Sequence, residues 1–170
     1  MTPADHPGLV LRPADDDECP EIVALLRKSF GRVAESLGIT PQSRPEFPAF
    51  ETVERLRSKA RANRWRMYLL LEDGRPVGCG ACSLDPDEPE LGGVHRVAVD
   101  PACQGKGYGL RLVQDLENEL KRMGARRVRL MHTTENADLH QFYHRLGYLT
   151  VHVDPPRDGG FGTTYMERDL

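Results

Sequence analysis

At 170 residues the chain is long enough for one domain that buries about two thirds of its unfolded surface, and its 39% hydrophobic and 29% charged residues suit a soluble protein. A formal net charge of -3 gives no basic footprint, which argues against a nucleic-acid partner. No apolar run approaches the ~20 residues of a membrane span, and Met1 to Gly8 has neither a basic start nor an apolar stretch, so a cytoplasmic location is expected.

The chain opens on a short strand, Leu9 to Arg12, closed by Pro13. Asp15, Asp16 and Asp17 then supply acidic capping for a helix with apolar positions Ile22, Leu25, Leu26 and Phe30. Pro41, Pro45 and Pro48 interrupt the chain before a second helix, expected from about Ala49 to Ala62. Two apolar runs, Met67 to Leu71 and Val77 to Leu84, flank an Asp73-Gly74 hairpin turn. An acidic, proline-bearing loop follows at Asp85 to Glu90, then a strand at Val94 to Val99. The most regular helix sets Leu112, Val113, Leu116, Leu120 and Met123 on one face and stops at Gly124. A strand holding Val128 and Leu130 comes next, then a helix from about Ala137 to Leu146 closed by Gly147, and terminal strands at Tyr148 to Val153 and Thr163 to Arg168. This order predicts an α/β domain with a mixed sheet. The strand, long helix and strand across residues 94 to 130 form one crossover, so those two strands should run parallel.

Cys79 and Cys82 have the spacing of a redox or zinc half-site. Three positions apart on a strand they point to opposite faces, and no second pair completes four ligands. They are expected as buried thiols, with no metal. His140 and His144, one helical turn apart, lack the Glu of a zinc-protease motif and are expected to be solvated.

Chemistry concentrates in the turn after the fourth strand. Gln104-Gly105-Lys106-Gly107-Tyr108-Gly109 opens the amphipathic helix, where backbone N–H groups have no intrahelical partner. Glycine there lets a phosphate reach the main chain at the positive helix end. A Rossmann turn would need a third glycine where Leu110 stands, and the nucleotide-triphosphatase loop signature is absent. Gln104-x-x-Gly107-x-Gly109, after an Asp100-Pro101 turn, resembles the acetyl-CoA signature of the GNAT superfamily of N-acetyltransferases, (Q/R)-x-x-G-x-(G/A). The segment from Asn136 through Phe142 and Tyr143 to Gly147 and Tyr148 resembles that family's second cofactor motif, with Leu139 where Ala is common. Leu11 to Asp17 is similar to its opening strand and first helix cap.

The resemblance implies one GNAT domain over residues 1–170, with splayed parallel strands and helices on both faces of the sheet. Acetyl-CoA would be the cosubstrate. Val97, Ala98 and Val99 would bind its pantetheine arm through main-chain groups, and the N–H near Val97 would polarise the thioester carbonyl. Gln104, Gly105, Lys106, Gly107, Tyr108 and Gly109 would hold the pyrophosphate, and Asn136 would bond the arm or its neighbourhood. Tyr143 would be the general acid for the leaving sulfur, its alternative being a ring packed beside Phe142. Acetyl would pass directly to a primary amine, on a small molecule or a protein, in a ternary complex, and a homodimer is compatible with the family.

One position departs from the pattern. Many family members carry a basic Glu where this chain has Gly93. His95, two residues on, should share its strand face unless a bulge at the glycines alters the phase, and an ordinary imidazole pKa near 6.5 suits a base. Three readings stay open: His95 as base, Glu90 acting through a water, or proton loss to solvent with His95 only packing. The vacant position also leaves a non-catalytic acyl-CoA-binding module as the alternative function. The acidic loop Asp85 to Glu90 would favour a cationic acceptor, or would simply be solvated.

Overall fold

The computed structural model describes residues 8–156 and 160–170. The opening stretch read for a leader lies, apart from Gly8, outside the described residues. Among the described residues no helix is long and apolar enough to cross a membrane.

The elements follow the expected order: β1 (Leu9–Pro13), α1 (Cys19–Leu37), α2 (Val53–Ala62), β2 (Arg66–Glu72), β3 (Arg75–Leu84), β4 (Leu91–Val99), α3 (Tyr108–Arg122), β5 (Arg127–Thr133), α4 (Ala137–Arg145), β6 (Leu149–Asp154) and β7 (Thr163–Asp169). The seven strands form one sheet in the order β1-β2-β3-β4-β5-β7-β6, antiparallel except for β4 beside β5. The β2–β3 hairpin turns through Asp73 and Gly74, both at positive φ (49° and 81°), the conformation an Asp-Gly pair is suited to.

Helices cover both faces. On one, Leu112, Val113, Leu116 and Leu120 of α3 pack with Cys82, Val94, Val128 and Met166. On the other, Ile22, Leu25 and Leu26 of α1 and Leu56 of α2 pack with Leu69, Cys79 and Ala98. Cys79 and Cys82 thus sit in opposite cores, as the strand period requires, and burial raises their thiols to about 12 and about 11.

Two boundaries differ from the sequence reading. The helix expected from Ala49 begins at Val53, because the Thr52 hydroxyl accepts from Arg55 N–H (3.2 Å) and caps it, while Pro48–Phe50 forms a separate 3-10 turn. The strand expected from Val94 begins at Leu91. Gly92 is a poor strand former alone, but it pairs with Leu84 on one side and Val128 on the other.

Candidate active site

The parallel pairing of β4 and β5 covers only Leu91, Gly92 and Gly93 opposite Arg127, Val128 and Arg129. Beyond Gly93 the strands part, so the β5-facing edge of residues 94 to 99 has no strand partner. A bulge deepens the split: Ala81 pairs with His95 and Cys79 with Ala98, so Arg96 and Val97 together oppose Gly80. Arg96 takes φ +55°, a left-handed conformation unusual for its residue type. The bulge lies after His95, so the common face expected for positions 93 and 95 survives. Val97 and Val99 turn towards the α3 side. Ala98, expected at the cofactor arm, is turned the other way into the α1 core; only its backbone edge remains for such a contact.

Three cavities follow the split. The first, about 620 Å³, lies over the glycine turn and is lined by Gln104 to Leu110 with Val97, Val99, Phe142 and Tyr143. Gly105 and Gly107 have φ +83° and +81°, and a Cβ built on either would meet open space, so here glycine serves the backbone conformation. No protein acceptor meets the N–H groups of Gly105, Gly107, Gly109 and Leu110 among the described residues. Lys106 pairs with Glu72 (3.5 Å), and the Tyr108 hydroxyl donates to the same carboxylate. The Tyr108 ring is buried in the core, so this side chain anchors the turn to β2.

The second cavity, about 310 Å³, occupies the centre of the split. It shares Val97, Leu139 and Tyr143 with the first and is closed by Phe30 and by Arg44 to Pro48 except Pro45. The third, about 430 Å³, lies over Gly92 and Gly93 and shares Trp65, Val94 and His95 with the second. Tyr143 therefore stands between the first two chambers and His95 between the last two.

The His95 ring stacks on Trp65 (4.7 Å between centroids, 16° between planes), and its Nε2 lies 3.0 Å from Ser83 Oγ. Burial, and secondarily the adjacent Arg96 charge, push its pKa down to about 4. The value near 6.5 expected for an unperturbed imidazole does not hold, and His95 is neutral throughout the physiological range. A Cβ built on Gly93 would lie 2.6 Å from His95 Nε2. The imidazole thus fills the volume of any side chain at position 93. Tyr143 is buried among Phe142, Tyr148 and His132, and burial holds its phenol well above its ordinary pKa.

Comparisons with known proteins agree with this fold. The family model for the acetyltransferase (GNAT) family matches residues 30–148. The chain belongs to the GNAT acetyltransferase family. An uncharacterised N-acetyltransferase of Methanocaldococcus jannaschii is 34% identical over 80 residues, 45% of this chain and 35% of that protein. The chain spans about a third to a half of the length of the first curated relatives it matches (35% and 49%). The ribosomal-protein-S18-alanine N-acetyltransferase of Escherichia coli superposes with a TM-score of 0.73 at 18% identity, covering 95% of this chain and 94% of that one. YncA of Salmonella typhimurium, solved with its cofactor acetyl-CoA, gives 0.69 at 20% identity, covering 96% and 94%. At such identities these structures establish the GNAT fold.

Other residues singled out in the sequence lie as follows. Asn136 lines the central chamber, and its side-chain oxygen accepts from Leu139 N–H (3.1 Å) and caps α4. Glu90, one candidate base, lies 3.2 Å from the Arg126 guanidinium and lines none of the three chambers. Part of the acidic loop is already engaged: Asp85 accepts from Asp87 and Glu88 N–H in its own turn, which holds its carboxyl below the usual range, and Glu88 pairs with Arg127 (2.8 Å). His144 is exposed as expected, but His140 is half-buried and bonded to His132. The His132 Nδ1 lies 2.8 Å from the Thr133 carbonyl and must carry the proton, so its Nε2 accepts from His140 Nδ1 (3.2 Å). Sequence reasoning missed Trp65, Ser83, Arg44 and Arg96. Trp65, the one tryptophan, was the available signal; the others carry no spacing that marks them.

Proposed function

We propose that this chain is an acetyl-CoA-dependent N-acetyltransferase that passes acetyl directly to a primary amine in a ternary complex. The observation that carries the reading is the continuity of the three chambers through the β4–β5 split, with a proton donor at one junction and a proton acceptor at the other. The glycine turn fits the pyrophosphate of a CoA ester, because left-handed glycines and open N–H groups at a helix N-terminus offer backbone donors to an anion. Gln104 and Lys106 flank that place, and the unpaired edge at Val97 and Val99 offers main-chain groups to an extended arm. When bound, acetyl-CoA supplies an acyl group activated as a thioester.

The remaining chemistry belongs to the chain. Tyr143, kept protonated by burial, donates to the sulfur as it departs. His95 cannot strip a proton from an alkylammonium, since its own pKa of about 4 lies far below that of an amine. The acceptor must therefore arrive neutral, and His95 takes the proton that the amine nitrogen sheds as it becomes acylated. Ser83 and Trp65 fix the imidazole plane for that role. The occupied volume at position 93 weighs against a non-catalytic binding module, since the missing carboxylate is replaced by a proton acceptor. A cytoplasmic enzyme without a nucleic-acid partner is part of this reading; the net charge of -3 supports only the second half of it.

The test is release of free CoA thiol from acetyl-CoA in the presence of a panel of primary amines. Amine-dependent release with an N-acetylated product supports the reading; tight CoA binding without turnover on any amine returns the binding module.

A further inference from the structure

The central chamber carries an excess of positive charge. Arg44, Lys59 and Arg96 all line it. Two carboxylates answer them. Glu51, fully buried, is shared by Lys59 (3.0 Å), Arg96 (3.2 Å) and Arg55 (3.6 Å). Glu46 lies 3.4 Å from Arg44 but is 65% exposed, where solvent screens it. Three cations on the chamber wall, with Arg55 behind it, thus meet two carboxylates, one of them weakened.

The two arginines reach the chamber from opposite sides. Arg44 reaches from the α1–α2 connection across the split to donate to the neutral hydroxyls of Thr133 (3.0 Å) and Thr163 (3.4 Å). Arg96 sits in the left-handed bulge, its guanidinium 5.4 Å from the Trp65 ring centre, and its Nε is buried with no hydrogen-bond partner among the described residues. A strained residue with an unmet buried donor, on the wall of a reaction chamber, marks a place where a ligand completes the contacts. A second ammonium would be repelled here, and in the acidic loop that could have drawn one Glu88 and Glu90 already pair with Arg127 and Arg126.

We propose that the acceptor amine carries an anionic group, a carboxylate or phosphate, that Arg44 and Arg96 recognise while the amine faces His95. This rests on the N-acetyltransferase reading and names its substrate class: small amino acids, or phosphorylated amines, of a size admitted by a chamber of about 310 Å³ and its neighbour of about 430 Å³.

The test uses the full chain, acetyl-CoA and acceptors of similar amine pKa that differ at the far end. 4-Aminobutyrate, butylamine and 1,4-diaminobutane form one series, and 3-aminopropyl phosphate beside 3-aminopropanol forms the other. The expected order in kcat/KM is anionic, then neutral, then cationic, with the anionic member favoured roughly 10- to 100-fold, the range of charge-assisted hydrogen bonds. The two series tell carboxylate from phosphate. Arg44→Gln should collapse the anionic-to-neutral ratio towards one; its position on an open connection keeps that test valid if Arg96→Gln fails to fold. A diamine or alkylamine that matches or exceeds the anionic acceptors, or a ratio unchanged in Arg44→Gln, overturns the charge assignment and leaves N-acetyl transfer standing. No thiol release with any member overturns both.

Discussion

The glycine turn at Gln104 to Gly109 and the strand segment Gly92 to Arg96 both face the split between β4 and β5, yet they are built on opposite principles. At the turn, side chains are absent or turned away, and the groups presented are backbone N–H donors at the start of α3. At the strand, glycine again appears, but to make room for another residue's ring: Gly93 lies against the His95 imidazole, which Ser83 and Trp65 hold from elsewhere in the chain. A backbone site is specified locally, by φ angles that few residues adopt. A side-chain site is specified by neighbours that converge from β3, β4 and the end of α2. The first should therefore fail abruptly on a single substitution, and the second by degrees.

The largest effect should come from the turn. Gly107→Asp places a side chain at φ +81° and a negative charge where phosphate is proposed to lie. With CoA at about a hundred times its dissociation constant, the parent should gain about 2.7 kcal/mol of stability, seen as a raised Tm, and a folded Gly107→Asp protein should gain almost none. Retained CoA binding in that variant would remove the pyrophosphate assignment.

Next is Tyr143, at the junction of the two sites. Tyr143→Phe keeps the buried ring packed against Tyr148 and Phe142 but loses the hydroxyl. As proton donor it should lower kcat by roughly 10²-fold with acetyl-CoA affinity little changed. Normal turnover would make Tyr143 a packing residue.

The pH dependence of His95 sharpens the strand side of the comparison. An imidazole near 6.5 in the unfolded chain and about 4 in the folded one binds its proton more readily when unfolded. Stability is therefore unaffected above pH 6.5 and falls as pH drops from 6.5 to 4, by up to about 3 kcal/mol. His95→Gln should remove most of this acid sensitivity; His132, also lowered chiefly by burial, keeps a share. In kinetics no limb should appear at pH 6 to 7, because His95 is already neutral there; the rising limb should follow the acceptor's pKa. A limb at pH 6 to 7 that persists with acceptors of different pKa would contradict the half-buried, neutral imidazole.

The smallest effect tests whether position 93 and His95 share one role. His95→Ala should slow turnover by roughly tenfold, less than the 10²-fold or more typical of a positioned acid or base, because water entering the emptied volume can take the proton instead. Adding Gly93→Glu to that variant puts a carboxylate into the emptied volume and should restore part of the rate. Gly93→Glu with His95 present should displace the ring and lower activity, and full activity in that single variant would show that the two side chains do not compete for space.

Much of the fold was legible because its signals are local. The Asp73-Gly74 turn, the helical stripe of Leu112 to Leu120 and the strand, turn and helix around Gln104 to Gly109 each depend on residues within about fifteen positions. Reading missed where distant segments decided the matter. The strand expected from Val94 starts three residues earlier, because pairing of Gly92 on both sides overrides the weak strand propensity of Gly92 and Gly93. His95 was expected at an ordinary pKa because its burial depends on Trp65, thirty residues away, and on Ser83. The acidic loop invited a cationic substrate because its partners Arg126 and Arg127 meet it only after the α3 crossover.

By itself the sequence determined the element order and the glycine turn, and its motifs carried the resemblance to the family, since glycine spacing and hydrophobic period are read along one dimension. Only the tertiary structure decided the split beyond Gly93, the Arg96 bulge, the protonation state of His95 and the positive charge of the central chamber. Desolvation and Coulomb interactions depend on distances in space, and those distances are set when β4, β5 and the α1–α2 connection close on one another.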